Sequence, residues 1–296
     1  MNNIKSIINK GVGFVVGMKI DRTGEEGYNN FGSKMIIKRY RGVYDCDVYF
    51  PKYNYTAGEI VYDAFKKGKV KCPYELRLFN KGYFGEGKYN PDEFSMYKVC
   101  YDKWRGMLTR CYDDEFQQGH LTYNGVTVYE SWLNLQEYGK WFEDNYYEVN
   151  DELMDLDKDI KSGESKIYSP DTCMFIPHRL NVAFIGEKIR NKKPKTNHHI
   201  HVSQGIVWVR AKNKYRCIQE FGCKTKYKGN YDAHEEAFKI YKECKEKYLR
   251  ELTNTYKDKL PDDVYKALMR YEIPVPEFID MQEEYYKCPF KYYDPN

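Results

Sequence analysis

The residues best suited to chemistry lie in one stretch, "LDKDIKSGESKIYSPDTCMFIPHRLN", residues 156–181. It carries Asp157, Lys158, Asp159, His178 and Asn181. Carboxylate, imidazole and amide groups are the materials of metal-assisted phosphodiester hydrolysis: one holds a divalent cation, one takes a proton from water, one orients that water. The spacing predicts a frame for them, with a strand start at "LDKDI", a glycine turn at "KSGES", a second strand at "CMFIP" and a helix opening at "HRLN". Asp157, Lys158 or Asp159 stands at the end of the first strand, and none of these side chains has the resting pKa near neutrality that suits a general base. Asp157 or Asp159 could ligate Mg²⁺, but His178 and Asn181 lie at the far end of the segment. The stretch therefore reads as a frame that holds a fold together, and the chain leans away from catalysis.

Two further groups of residues invite a function. His198, His199 and His201, with His178 upstream, are metal-ligand types, but no cysteine at finger spacing and no carboxylate stands beside them, so no metal site and no resident cofactor is expected. Arg210, Lys212, Lys214, Arg216, Lys224 and Lys226 follow in a strand-like region and fit phosphate contacts with nucleic acid or contacts with an acidic protein partner; a solvated charged face is the plainer reading. The glycines of "GVGFVVG" lack the Lys-Ser/Thr pair of a phosphate loop.

The elements that would position these groups follow from length and pattern. A chain of 296 residues has room for two or three compact units, which makes a multi-domain α+β protein the expectation. Residues 1–93 read as a small β-rich domain, with β-prone runs on either side of "RGVYD". In residues 94–185, Tyr97, Cys100, Tyr101, Trp104, Met107, Leu108 and Cys111 fall at helical steps, as do Trp132, Leu135, Tyr138, Gly139 and Phe142. Residues 186–204 read as a basic linker. Residues 205–271 give three strands, then a helix capped by Asp232 with Glu235 three residues on and striped by Ala237, Tyr241, Cys244, Tyr248 and Leu252. A second short helix starts near Pro261. Residues 272–296 form an acidic, Tyr-rich arm expected to dock on something.

Tyrosine is abundant at 31 residues, which suits a binding surface because the ring covers apolar area and keeps a hydroxyl. Net charge is only +4, yet residues 186–229 hold roughly twelve cations against two acids while the arm is acidic. No apolar run is long enough to span a bilayer and no leader is evident, so a cytoplasmic protein with reduced, buried thiols is expected.

The segment of residues 205–241 resembles the plant ethylene-response-factor type of DNA-binding domain, also known from phage homing endonucleases. The matching positions are Gly205, Arg210, Lys214, Tyr215, Ile218, residues 228–232, Glu235, Glu236, Ala237 and Tyr241. Tyr215 stands where that family has tryptophan and Lys228 where it has leucine. Together with "WRGMLTRCYDDEF", "GVTVYESWLNLQEYGKWFED" and the opening stretch, it makes residues 94–271 resemble phage-encoded HNH-related proteins. The N-terminal runs resemble the β module often fused in front of them. The size and the acidic Tyr-rich end are also similar to the anti-defence proteins with which temperate phages block the Gabija system. That resemblance implies an oligomeric, non-enzymatic inhibitor, acting in the infected bacterial cell on a host defence nuclease-helicase complex and keeping DNA from being bound or cut. The alternative it leaves open is a homing-type DNA endonuclease, which would need Mg²⁺, or a DNA-binding relative of one.

Overall fold

The computed structural model describes residues 20–89, 96–163, 165–185, 199–221, 224–281 and 283–284. The "GVGFVVG" glycines, His198 and Cys223 lie outside them. The chain divides into two compact units: residues 1–77 with 83–85, and residues 78–82 with 86–296. Helices and several separate sheets make the architecture α+β. The regions read as central and C-terminal lie within the second unit.

In the first unit, β1 (Glu26–Tyr28), β2 (Lys34–Gly42), β3 (Asp45–Phe50) and β4 (Tyr55–Ile60) form an antiparallel sheet in chain order, followed by α1 (Tyr62–Lys66). Side chains two apart on a strand share a face. Met35 and Ile37 from β2 and Cys46, Val48 and Phe50 from β3 accordingly point inward, and Phe65, Val70 and Cys72 close the core. A buried polar chain braces it: Asn29 Nδ2 donates to Glu75 Oε1 at 2.5 Å, and Glu75 pairs with Arg77 at 3.2 Å. Arg77 in turn lies over Phe31 and Phe84, 4.5 and 5.2 Å from the ring centroids. Gly85 N donates to Pro73 O, so residues 83–85 return to this unit. The intervening residues belong to the second unit, where a Cβ on Gly82 would fall 2.5 Å from Leu108.

The second unit is built first on aromatic packing. α2 (Met96–Tyr112) and α4 (Leu135–Asn145) bury Cys100, Trp104, Met107 and Leu108, and Leu135, Tyr138 and Phe142, as their spacing predicts. Trp104 Nε1 donates to Trp132 O at 2.7 Å, and Trp132 meets Tyr138 edge-on at 5.2 Å. Gly139 is required there, because a Cβ would stand 2.4 Å from the Tyr89 ring. α3 (Asp114–Gly119) is capped by Asp113, and β5 (Thr127–Val128) pairs parallel with β7 (Ile167–Tyr168).

Against this core sits the expected hairpin and helix. β6 (Met154–Asp157) pairs antiparallel with β8 (Met174–Pro177), and α5 (His178–Ile185) follows at once. Then come β9 (His199–Ser203), β10 (Ile206–Val209), β11 (Lys214–Phe221) and β12 (Lys224–Tyr231), antiparallel in the order β12-β11-β10-β9. The sheet thus has four strands where three were expected. The additional strand, β9, is the end of the segment read as linker, recruited because Ile200 and Val202 pack against the core shared by the sheet and α6 (His234–Asn254).

The predicted capping box at the start of α6 is not formed. Ala233 occupies the cap without a side-chain bond, and Asp232 instead pairs with Lys214 at 2.6 Å. The stripe of α6 is Ala237, Phe238, Tyr241, Leu249 and Leu252, with Cys244 and Tyr248 half-buried at its margin. α7 (Asp262–Arg270) begins at Pro261, as the missing amide proton of proline allows. Among the described residues no helix is long and apolar enough to cross a membrane.

Candidate functional site

The carboxylates of the opening stretch have two separate fates. Asp157, the last residue of β6, is buried; its Oδ1 accepts from the backbone N–H of Asp159 at 3.0 Å and of Ile160 at 2.8 Å. The aspartate therefore caps the turn that leaves the strand, and burial pushes its pKa above the usual carboxylate range despite those two bonds. Lys158 is also buried, pairing with Asp159 and donating to Ser165 O. Its ammonium lies 5.7 Å from the Tyr168 ring centroid. Arg110 approaches the same ring and donates from Nε to Tyr168 Oη at 2.9 Å.

The second cluster forms at the other end of the strand. His178 opens α5, and Asn181 follows one helical turn later on the same face. Asp155 pairs with Ile176 across the hairpin, which sets its carboxylate beside that turn. Its Oδ2 accepts from His178 Nδ1 at 2.7 Å and from Asn181 Nδ2 at 2.9 Å. The imidazole side chain is 56% exposed, while Asn181 Oδ1 is buried without a hydrogen-bond partner. Lys103 donates to Met154 O nearby, and burial holds its pKa below the ordinary lysine value.

Of the four residues singled out for hydrolysis, His178 and Asn181 are thus brought together. Asp157 and Asp159 are not with them. The residue that joins the pair is Asp155, which the sequence reading passed over although it stands two residues before Asp157 on the same strand. The two groups also differ in surroundings. Residues 157–161 line a cavity of about 1050 Å³ together with Tyr123, Phe238, Lys266 and Arg270, whereas Asp155, His178 and Asn181 lie outside that lining.

The six cations of the C-terminal sheet are likewise divided. Residues paired across a ladder share a face, so Lys214, Arg216 and Tyr227 lie on one side and Tyr215, Cys217 and Lys226 on the side of α6. A bulge between Cys217 and Ile218 shifts the register. Arg216 sits 5.7 Å from the Tyr227 ring centroid and reaches Asn230 and His199, while Lys214 is held by Asp232. Arg210 and Lys212 occupy the exposed turn between β10 and β11, and Lys224 is the first residue of β12.

His199 and His201 stand two apart on β9 and share a face, where Arg216 reaches His199; His178 is committed to Asp155. Among the described residues, no group of three or more His, Cys, Asp or Glu side chains is placed to hold a metal ion. The seven described cysteines are free thiols, six of them buried. Burial raises Cys100, Cys111 and Cys173 to about 12 and Cys217 to about 11.

Comparison of the chain with protein-family models, curated proteins and solved structures finds no match in any of the three.

Proposed function

We propose that this chain is a phage counter-defence protein that binds a host nuclease-helicase complex of the Gabija type and blocks its binding and cleavage of DNA by stoichiometric contact. The observation that carries the non-catalytic part of this reading is the end of β6. Asp157 is spent on two backbone amides and Lys158 on Asp159 and Ser165, so the site of a general base holds structural side chains. Exposed aromatic residues support a protein interface: Tyr44 at the β2-β3 turn is 81% exposed, Tyr28 68% and Phe31 60%. The resemblance to phage HNH-related and anti-defence proteins supplies the class of partner, and the chain acts on it as an oligomer inside the infected cell.

Tagged protein expressed in cells that carry the defence complex should retain that complex through purification and restore phage growth. If the two proteins separate on sizing and infection stays blocked, the proposal is wrong.

A second reading, a metal-dependent endonuclease, is favoured by one observation, the Asp155–His178 pair. A carboxylate that fixes Nδ1 leaves Nε2 as a potential base. Plasmid nicking in Mg²⁺ or Mn²⁺ that vanishes in His178→Ala and Asp155→Ala would establish it. Intact plasmid with the native chain removes it.

A further inference from the structure

After α7 the chain runs without helix or strand over residues 271–280 and is tied down at both ends by side chains of the sheet and of α6. Ile273 N donates to Glu246 Oε1 at 3.0 Å, and Ile273 O accepts from Lys242 Nζ at 3.0 Å. Further on, the Tyr215 hydroxyl donates to Ile279 O at 2.7 Å and accepts from Met281 N at 2.6 Å. Ile273 and Met281 are buried in the cluster that holds Trp208, Tyr215, Phe238 and Tyr241.

A further tie is a histidine. His234, the first residue of α6, is buried, stacked on Tyr215 with ring centroids 5.5 Å apart and met edge-on by Phe278 at 5.3 Å. Ile279 N donates to His234 Nδ1 at 3.1 Å. Because Nδ1 accepts, the neutral ring carries its proton on Nε2 and donates it to Ser203 Oγ at 2.7 Å. One imidazole therefore joins β9, α6 and the segment after α7, and it can do so in a single tautomer.

We propose that residues 271–281 are a strap held against the sheet and α6 by the neutral imidazole of His234, and that uptake of a proton by this ring loosens it and uncovers the apolar groove beneath. A second ring proton would occupy Nδ1, where the N–H of Ile279 already points. Two donors would then face each other, and the new cation would sit in an enclosed, largely aromatic site. The titratable side chain packed on the ring from β11 is Tyr215, while β9 presents the uncharged Ser203. Glu235 and Glu236 on α6 and Glu277 and Asp280 on the strap are exposed, and Asp232 is engaged by Lys214. No carboxylate among the described residues bonds the ring to offset its charge.

Burial holds the His234 pKa below its ordinary value of 6.5 in the closed state. The closed state therefore binds the proton more weakly than the open one. Closure is at full strength above the open-state pKa and weakens as pH falls below it, by up to about tenfold in the closing constant per pH unit, until the closed-state pKa is reached.

Hydrogen exchange on the intact chain reads this directly. Protection of the Ile279 and Met281 amides, corrected for intrinsic exchange rates, should fall between about pH 7.5 and about pH 5.5, while protection in the middle of α6 is retained. His234→Asn keeps an acceptor near Nδ1 but cannot titrate, so its strap should be less protected and equally so at both pH values. Tyr215→Phe removes two ties and leaves the imidazole; its strap should be less protected at both pH values, with the wild-type ratio between them. Equal protection of the wild-type strap at the two pH values, or the wild-type ratio persisting in His234→Asn, would overturn the proposal.

Discussion

At the end of β6 the ionised form of Asp157 is favoured by two backbone amides and penalised by burial, and burial prevails. A folded-state pKa above the unfolded value means that the carboxyl contributes stability that is fully present below the unfolded value and lost as pH rises through the folded one. Asp157→Asn keeps an oxygen for both amides and removes the charge. It should leave stability at neutral pH unchanged or raised and flatten its dependence on pH in the acidic range, as followed by denaturant titration. Asp157→Ala abandons both amides and should cost about 1–2 kcal/mol. The thiols give a second residue-scale test. With Cys100, Cys111 and Cys173 held near 12, the native chain should resist alkylation at neutral pH at these positions and react there only on unfolding, as peptide mapping would record.

Elements set the accuracy with which those residues are placed. Gly139 lets α4 close on Tyr89, and Gly139→Ala should destabilise the second unit by about 1–3 kcal/mol, visible as a lower melting temperature. In the first unit, Glu75→Ala would leave Arg77 and Asn29 without their shared carboxylate in a buried setting, at a cost of about 3–5 kcal/mol. Glu75→Gln, which retains an acceptor for Asn29, should cost less. Much at this scale was legible in the sequence: apolar steps of three and four mark α2 and α4, and alternation marks β2 and β3. What was not legible depends on partners far along the chain. β9 ends a segment that is polar and basic as a whole, and it becomes a strand because β10 lies beside it. Asp232 followed by Glu235 has the form of a capping box, yet Lys214, distant in sequence, takes the aspartate. Asp155 stood unnoticed because its role needs α5 folded back beside β6, and spacing along one strand carries no information about the next helix.

For the whole molecule, the division of the basic residues between two faces decides what DNA could see. If the sheet meets DNA through the face that carries Arg216, replacing Arg216 and Arg210 by alanine should weaken binding and lower its salt dependence, while Lys226→Ala, on the α6 side, should do neither. Equal effects from all three would point to diffuse attraction alone. Purification of the intact chain with its partner and sizing of the complex address the counter-defence reading at the same scale. The way the backbone passes between the two units also governs how the molecule can be cut up. It crosses from one to the other after residues 77, 82 and 85, so no single scission yields two whole halves. A fragment ending at Arg77 forfeits Phe84 from beneath that guanidinium, and one starting at Glu86 forfeits the Gly82 that lies against Trp104 and Leu108. Fragments used as bait in an interaction screen therefore need residues 78–85 on both pieces, and only such overlapping halves can be asked to reassemble or to act alone.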